Sequence, residues 1–426
     1  MNVALISLGC NKNLVDSEMI LGLIVKNGLN IVADENEADY IIVNTCAFIA
    51  DAQKESIDTI IRLGELKKEK CRALIITGCL ANRYKKEIKE LLPEVDLVAD
   101  INDFESIIKF IKKDGKADIK YTERVLSTPP YTAYVKIADG CDNTCTYCII
   151  PKLRGKYKSR TIEDIEEEVK DLAKKGVLEI VLVAQDTSCY GIDLYGKPCL
   201  AKLLKTLEKI DGIRWIRILY TYPEGVTEEL LDVISKSKKI CHYFDLPIQH
   251  INNDMLKMMG RNTTKEKIIK LLKKIKEKMP DATLRTSLIV GFPTETDEQL
   301  EELKKFVKSG FFDRLGVFEF SKEEGTAAAK LKGQILKRVK AKRRKIIMEE
   351  QQKVSLKKNK QVVGSKVEVL IEGKINDNTY FGRTKADVPE IDGMIFIESK
   401  DNLPLGDFVN AKVIGAKEYD LIGKCI

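Results

Sequence analysis

The chain has 426 residues, 44% apolar and 32% charged, which suits a soluble protein of two or three domains with a substantial core. No apolar run approaches the roughly 18 residues of a membrane helix, and MNVALISLGC lacks the order of a secretory signal, so a cytoplasmic protein without a membrane partner is expected. The net charge of +7 is uneven: −3 over 1–125, +2 over 126–329, +11 over 330–360 and −3 over 361–426, so the overall basicity says little about any one face.

Residues 1–125 alternate short apolar runs (Val3–Leu8, Tyr40–Val43, Ala73–Ile76, Val95–Val98) with helical patterns at Leu14–Lys26, Ala52–Lys68 and Arg83–Leu92. This βα repeat predicts a doubly wound parallel sheet. Cys10, Cys46 and Cys79 each stand just past the carboxyl end of a strand, 33 to 36 positions apart. Those ends share one edge of an open sheet, where ligands bind, so the three thiols are expected to meet. Gly9 and Gly78 would let the backbone approach a bulky group. Three unrelated core cysteines are the plain alternative.

Pro129 and Pro130 mark a boundary, and the strand Ala133–Ala138 then leads into Cys141, Cys145 and Cys148. Eleven cysteines in a cytosolic chain point to metal or redox chemistry, while two histidines, His242 and His250, nearly exclude a multi-histidine metal site. A structural zinc closes with four ligands, and iron–sulfur clusters normally take four thiolates. Three thiols within eight residues, with no fourth ligand at usable spacing, suggest a cluster with one open iron. Buried structural cysteines, or zinc completed from afar, are the alternatives.

Residues 161–320 continue as strand-and-helix units. Strands at Ala133–Ala138, Glu179–Ala184, Trp215–Leu219, Tyr243–Leu246, Thr283–Val290 and Gly316–Phe320 predict a central partial (βα)6 barrel within 126–329. Polar residues at the strand ends include Gln185, Asp186, Gln249, His250, Gly291 and Glu295. Residues 330–360 read as a basic amphipathic linker helix, with a solvated face favoured over RNA contact. Residues 361–426, with short alternating runs and turn residues, predict a small antiparallel β-barrel. Its negative charge suits a basic protein better than a phosphate backbone.

The spacing C-x3-C-x2-C, with Tyr147 before the last Cys, resembles the radical S-adenosylmethionine family. SLGCNKNLVDSE (Ser7–Glu18), NTCAFI (Asn44–Ile49), TGCL (Thr77–Leu80), DGCDNTCTYCIIPKLRGKYKSR (Asp139–Arg160), DLPIQH (Asp245–His250), LRTSLIVGFPTET (Leu284–Thr296) and FEFSKEEGTAA (Phe318–Ala328) narrow this to a resemblance to its methylthiotransferase branch, over the whole chain. The tRNA-modifying members look different after the second Cys and at Leu-Pro-Ile-Gln-His, and Asn11 departs from the usual residue after the first Cys.

The resemblance implies a methylthiotransferase domain at 1–125, a radical domain at 126–329 and a TRAM-like barrel at 361–426. It implies that Cys141, Cys145 and Cys148 hold a 4Fe–4S cluster that cleaves S-adenosylmethionine, and that Cys10, Cys46 and Cys79 hold an auxiliary 4Fe–4S cluster. Arg160, Gln185, Asp186, Gln249 and Gly291 are the expected contacts of S-adenosylmethionine, which serves as methyl donor and radical source. The implied reaction is methylthiolation of an aspartate β-carbon in ribosomal protein S-twelve or the small subunit, by a monomer using an electron donor and a sulfur donor. Methylthiolation of an adenosine beside the tRNA anticodon is one alternative, and a two-cluster electron-transfer or sensing protein is another.

Overall fold

The computed structural model describes residues Met1–Ile426. The first unit is a parallel sheet of β1 (Asn2–Ser7), β2 (Asn30–Ile31), β3 (Tyr40–Thr45), β4 (Ala73–Gly78) and β5 (Val95–Val98), in the order β2-β1-β3-β4-β5. Val43, Leu74 and Ile76 face one apolar layer while Ile42 and Ile75 face the other, so β3 and β4 are buried on both sides. Helices α1 (Asn11–Lys26), α2 (Ala50–Gly64) and α3 (Cys79–Arg83) follow β1, β3 and β4. The edge strand β2 and the helix Phe104–Ile111 were not anticipated; β2 is two residues long, too short for a periodic signal.

The central unit has β6 (Thr132–Lys136), a short hairpin of β7 (Ala138–Asp139) and β8 (Lys158–Ser159), then β9 (Glu179–Val183), β10 (Trp215–Ile218), β11 (Tyr243–Asp245), β12 (Thr283–Val290) and β13 (Arg314–Glu319). The six parallel barrel strands form two three-stranded sheets, β6-β9-β10 and β11-β12-β13. One bridge, Ile216 to Ile240, spans the seam between them. Alternation sorts the side chains: Ile180 and Leu182 of β9 point into the helix layer, Val181 and Val183 into the barrel.

The last unit is a closed barrel, β14 (Lys366–Asn376), β15 (Thr379–Arg383), β16 (Ile395–Glu398), β17 (Phe408–Ala416) and β18 (Leu421–Cys425). It is not purely antiparallel, because β16 and β18 run parallel. It packs onto the open side of the partial barrel. Leu370 and Val388 join Val15 of α1 and the inward residues Tyr134, Val181, Val183, Trp215 and Tyr243 in one apolar cluster. Arg217 donates to the carbonyls of Lys385 (2.7 Å) and Thr384 (3.3 Å), and the Tyr243 hydroxyl donates to Asp392 at 2.5 Å.

The linker helix runs Lys337–Val362. Its buried face carries Arg343, Ile347, Glu350, Gln351, Val354, Ser355 and Asn359, so the helical period is as expected but the face is largely polar. Arg343 donates to Glu295 at 2.6 Å, and Asn359 donates to the carbonyl of Lys417 at 3.0 Å, tying barrel, helix and last unit together.

Candidate functional site

Three sheet-edge loops carry Cys10, Cys46 and Cys79. Gly9 and Gly78 both sit at φ +93°, a region that L side chains rarely adopt. A Cβ at Gly9 would fall 2.9 Å from Cys46 Sγ, and one at Gly78 would fall 2.5 Å from the Thr45 carbonyl. These glycines therefore let neighbouring loops approach to contact distance. Asn13, from the first turn of α1, staples the group: its amide donates to the carbonyls of Leu8 and Thr45, both at 2.9 Å. Its Oδ1 lies 3.9 Å from Cys79 Sγ. Ser56 of α2 donates to the Cys46 carbonyl at 2.9 Å and accepts from its N–H at 3.0 Å.

The thiols differ in their electrostatics. Burial pushes Cys79 up to about 11, with Arg154 pulling the other way, and burial raises Cys46 as well. Burial would also raise Cys10, yet Lys12, Arg154 and the N–H groups of Lys12 and Asn13 bring it below the usual thiol range. Cys10 occupies the N-cap position of α1 with no side-chain cap bond, where the helix dipole favours an anion.

The second trio sits on a loop between β7 and the helix Ile150–Arg154. Burial raises Cys141, and pushes Cys148 up to about 12. The Tyr222 hydroxyl lies 3.4 Å from Cys145 Sγ, and the guanidinium of Arg261 lies 4.0 Å from the Tyr222 ring centroid. Gly260, at φ +71°, passes so close that a Cβ there would be 2.6 Å from the Thr144 carbonyl.

The trios are joined by a buried polar network. Arg154 donates to Asp139 (3.0 Å), to Asp16 of α1 (3.0 Å) and to Asn13. Lys136 bonds Asp16 and Asp139, and Gln185 donates to Asp139 at 2.9 Å. Lys12 influences both Cys10 and Cys148, so one side chain stands within electrostatic reach of both trios.

The fit of this set to iron–sulfur clusters rests on donor chemistry and on orphaned atoms. Two sets of buried and half-buried thiols share neighbours, and no three His, Cys, Asp or Glu side chains close on a single metal ion. A cluster takes each thiolate on a different iron, so its ligands stand further apart. Around them Asn11 Nδ2, Tyr147 Oη, Gln185 Oε1 and Arg261 Nε and Nη1 are buried without a hydrogen-bond partner, as befits a ligand pocket.

The expected S-adenosylmethionine contacts divide. Gln185 keeps an unpartnered Oε1 beside the network. Asp186 is filled by Asn143 (2.8 Å) and Ser188 (2.5 Å), so it braces the cysteine loop. Gln249 sits at φ +67° at a strand end and pairs with Leu288 across one bridge. Gly291 donates to Glu295 at 2.6 Å and is covered by Lys340 of the linker helix, whose Cγ a Cβ would meet at 2.4 Å. Arg160 does not join the group: it is committed to Asp164 (2.6 Å), Glu168 and the Lys136 carbonyl (2.8 Å), with Tyr121 on its face. Its place in a basic run gave no hint of these partners. His250 is buried, accepts from the Asn252 N–H at 3.0 Å and faces Glu295 at 3.3 Å, a structural role.

Sequence reading passed over Lys12, Asn13, Asp139 and Arg154 as individuals, although all four lie inside the quoted motifs. Tyr222 and Arg261 carried no signal.

Three family models match successive parts of the chain: "Uncharacterized protein family UPF0004" over 2–100, "Radical SAM superfamily" over 135–307 and "TRAM domain" over 363–426. Among solved structures, the cobalamin-dependent S-adenosylmethionine radical enzyme OxsB superposes with a TM-score of 0.52 at 14% identity, over 82% of this chain and 56% of that one. The radical S-adenosylmethionine methyltransferase TsrM from Kitasatospora setae gives 0.51 at 13% identity, over 85% and 78%. These two show a shared fold.

Sequence relatives narrow it further. The ribosomal protein uS12 methylthiotransferase RimO of Clostridioides difficile (strain 630) is 50% identical over 436 residues, 99% of this chain and 98% of its own. That of Thermoanaerobacter sp. (strain X514) is 49% identical over 435 residues, 99% of both. The chain belongs to the RimO family of radical S-adenosylmethionine methylthiotransferases.

Proposed function

We propose that the chain methylthiolates the β-carbon of an aspartate in ribosomal protein uS12. The observation that carries this reading is end-to-end identity of about half with relatives named for that activity. In this reading Cys141, Cys145 and Cys148 hold the cluster that reduces S-adenosylmethionine, and Cys10, Cys46 and Cys79 hold the auxiliary one. When bound, the two 4Fe–4S clusters supply the electron that makes a carbon radical and the open iron that carries sulfur.

The protein's own residues position and exclude. Asp186 and Asn143 fix the loop between Cys141 and Cys145. Gln185, Gln249 and Gly291 remain candidate contacts of S-adenosylmethionine; Asp186 acts through Asn143, and Arg160 drops out. Asn13 and Arg154 hold the two trios in register, and the last unit closes the barrel against water. No helix is long and apolar enough to cross a membrane. The acidic last unit, at −3 over 361–426, complements a basic protein partner. An external electron donor, a sulfur donor, a monomeric state and a cytoplasmic site of action complete the reading, with the domains running 1–125, 126–329, 330–360 and 361–426.

Mass spectrometry of ribosomal proteins and of tRNA, from cells with and without the gene, tests it. A methylthio mass on a uS12 aspartate that vanishes with the gene is expected. An unchanged uS12 beside an altered tRNA adenosine overturns it.

A further inference from the structure

Lys12 is buried, with 8% of its surface exposed, yet it forms no salt bridge. The neighbouring carboxylates are already taken: Asp16 by Lys136 and Arg154, and Asp139 by the same two side chains. A buried ammonium without a carboxylate is costly, and proteins keep one mainly where a ligand completes it. Besides the Cys10 thiol, which it draws towards the anion, its evident partner is the face of Tyr220, whose ring centroid lies 3.4 Å from Nζ. A ring face attracts a cation but cannot take up three N–H donors.

Tyr220 is itself held unusually. It adopts φ +58°, rare for a bulky residue, and is pinned there by its N–H donating to Asp245 at 2.9 Å and its carbonyl accepting from Thr187 at 3.0 Å. The barrel's strand end is thus set so that an aromatic face meets a lysine from the other unit. That lysine lies two residues from Cys10 and within electrostatic reach of Cys148. Arg154 adds positive charge on the same side, but its donors are spent on Asp16, Asp139 and Asn13.

We infer that Lys12 is a substrate-binding residue: its ammonium takes the side-chain carboxylate of the target aspartate in the space between the two trios. This rests on the aspartate reading above. An aspartate β-carbon is bonded directly to the carboxyl carbon, so gripping the carboxylate places the reacting carbon near both trios. The same contact disfavours a neutral side chain, because an amide in its place cannot pair with the ammonium as a carboxylate does.

The test uses the full chain, reconstituted anaerobically, and two synthetic peptides of the uS12 target loop that differ only in Asp or Asn at the target position. Fluorescence anisotropy with S-adenosylmethionine present reads affinity without turnover. Wild type is expected to favour the Asp peptide by about tenfold to a hundredfold, the range for a hydrogen bond to a charged group. K12M and K12Q are expected to bind both peptides alike, and K12R to regain part of the preference. An undiminished Asp preference in either neutral variant that retains wild-type iron overturns the inference. So does a loss of S-adenosylmethionine affinity with the peptide ratio unchanged, which would assign Lys12 to that carboxylate instead. If K12M and K12Q both lose iron, K12R decides: iron retained with the preference abolished or unchanged from a neutral-side-chain ratio overturns the inference, and partial recovery supports it. Wild type that binds neither peptide, from cells whose uS12 is unmodified, sinks the functional reading; wild type that binds both equally while uS12 is modified sinks only the role of Lys12.

Discussion

Arg154 and Asp16 lie 3.0 Å apart across the junction of the first two units, 138 residues apart in sequence, and both side chains are almost fully buried. The pair fixes α1, which Cys10 caps, against the helix that follows Cys148. Two sets of thiols in separate units therefore keep a constant relation.

Breaking that pair from one side leaves a buried charge. Arg154→Gln is expected to cost roughly 3 to 5 kcal/mol, as in other buried pairs. Asp16→Asn with Arg154→Gln should cost less than the two singles together, with coupling above about 1 kcal/mol. Urea unfolding of the four proteins measures it; full additivity would show that the units do not lean on this contact.

Gly78→Ala puts a methyl group 2.4 Å from Asn44 Oδ1 and forces a strained φ on the residue before Cys79. Reconstituted wild type should carry about eight irons, and this variant about four, because each cluster holds about four. The triple variant Cys141, Cys145 and Cys148→Ala should also fall to about four. Gly176→Ala is the control: it shares a positive φ but opens onto free space, so its iron should stay at the wild-type value.

Tyr222→Phe removes the hydroxyl 3.4 Å from Cys145 Sγ. A hydrogen bond to a ligand sulfur favours the reduced, more negative state of a cluster, so its loss should move the midpoint potential to more negative values. A redox titration followed by electron paramagnetic resonance reads this; an unmoved potential would make the hydroxyl a packing feature only.

Glu179 ties the last unit to the barrel through Arg383 (2.6 Å) and Arg217 (3.0 Å). Burial works against its charged form, yet the two guanidinium groups hold it down at about 2, below its ordinary 4.5. A carboxyl lowered on folding stabilises above its unfolded value, and that contribution is lost as pH falls from about 4.5 towards about 2. Glu179→Gln should be less stable at neutral pH by roughly 3 to 5 kcal/mol, with a flatter loss in acid. Urea midpoints followed from neutral to acid pH would show this; equal slopes in both proteins would contradict it.

The sequence made the placement of Cys10, Cys46 and Cys79 legible because each follows a strand of a βα repeat, and topology puts those strand ends on one edge. It could not reveal Arg154 against Asp16, or Asn13 against Arg154, because those contacts join distant segments and carry no period. The partners of Arg160 were hidden for the same reason: the family resemblance marked it as a cofactor contact, while folding surrounds it with Asp164 and Glu168. The linker helix had the right period, but its buried face uses Arg343, Gln351 and Asn359, which apolar spacing cannot mark. Strand β18 was missed because Gly423 interrupts a run of only five residues.

The segment from Thr384 to Asp392 lies in the C-terminal barrel yet furnishes the floor of the central one, through Val388 and the bonds to Arg217 and Tyr243. Swapping this barrel for a relative's would therefore succeed only if the donor brought a matching plug. Shortening the gene before that point would leave Trp215, Tyr243 and Val181 facing solvent, a greasy opening prone to precipitation. The C-terminal unit and the integrity of the central barrel are thus inherited together, as one evolutionary unit.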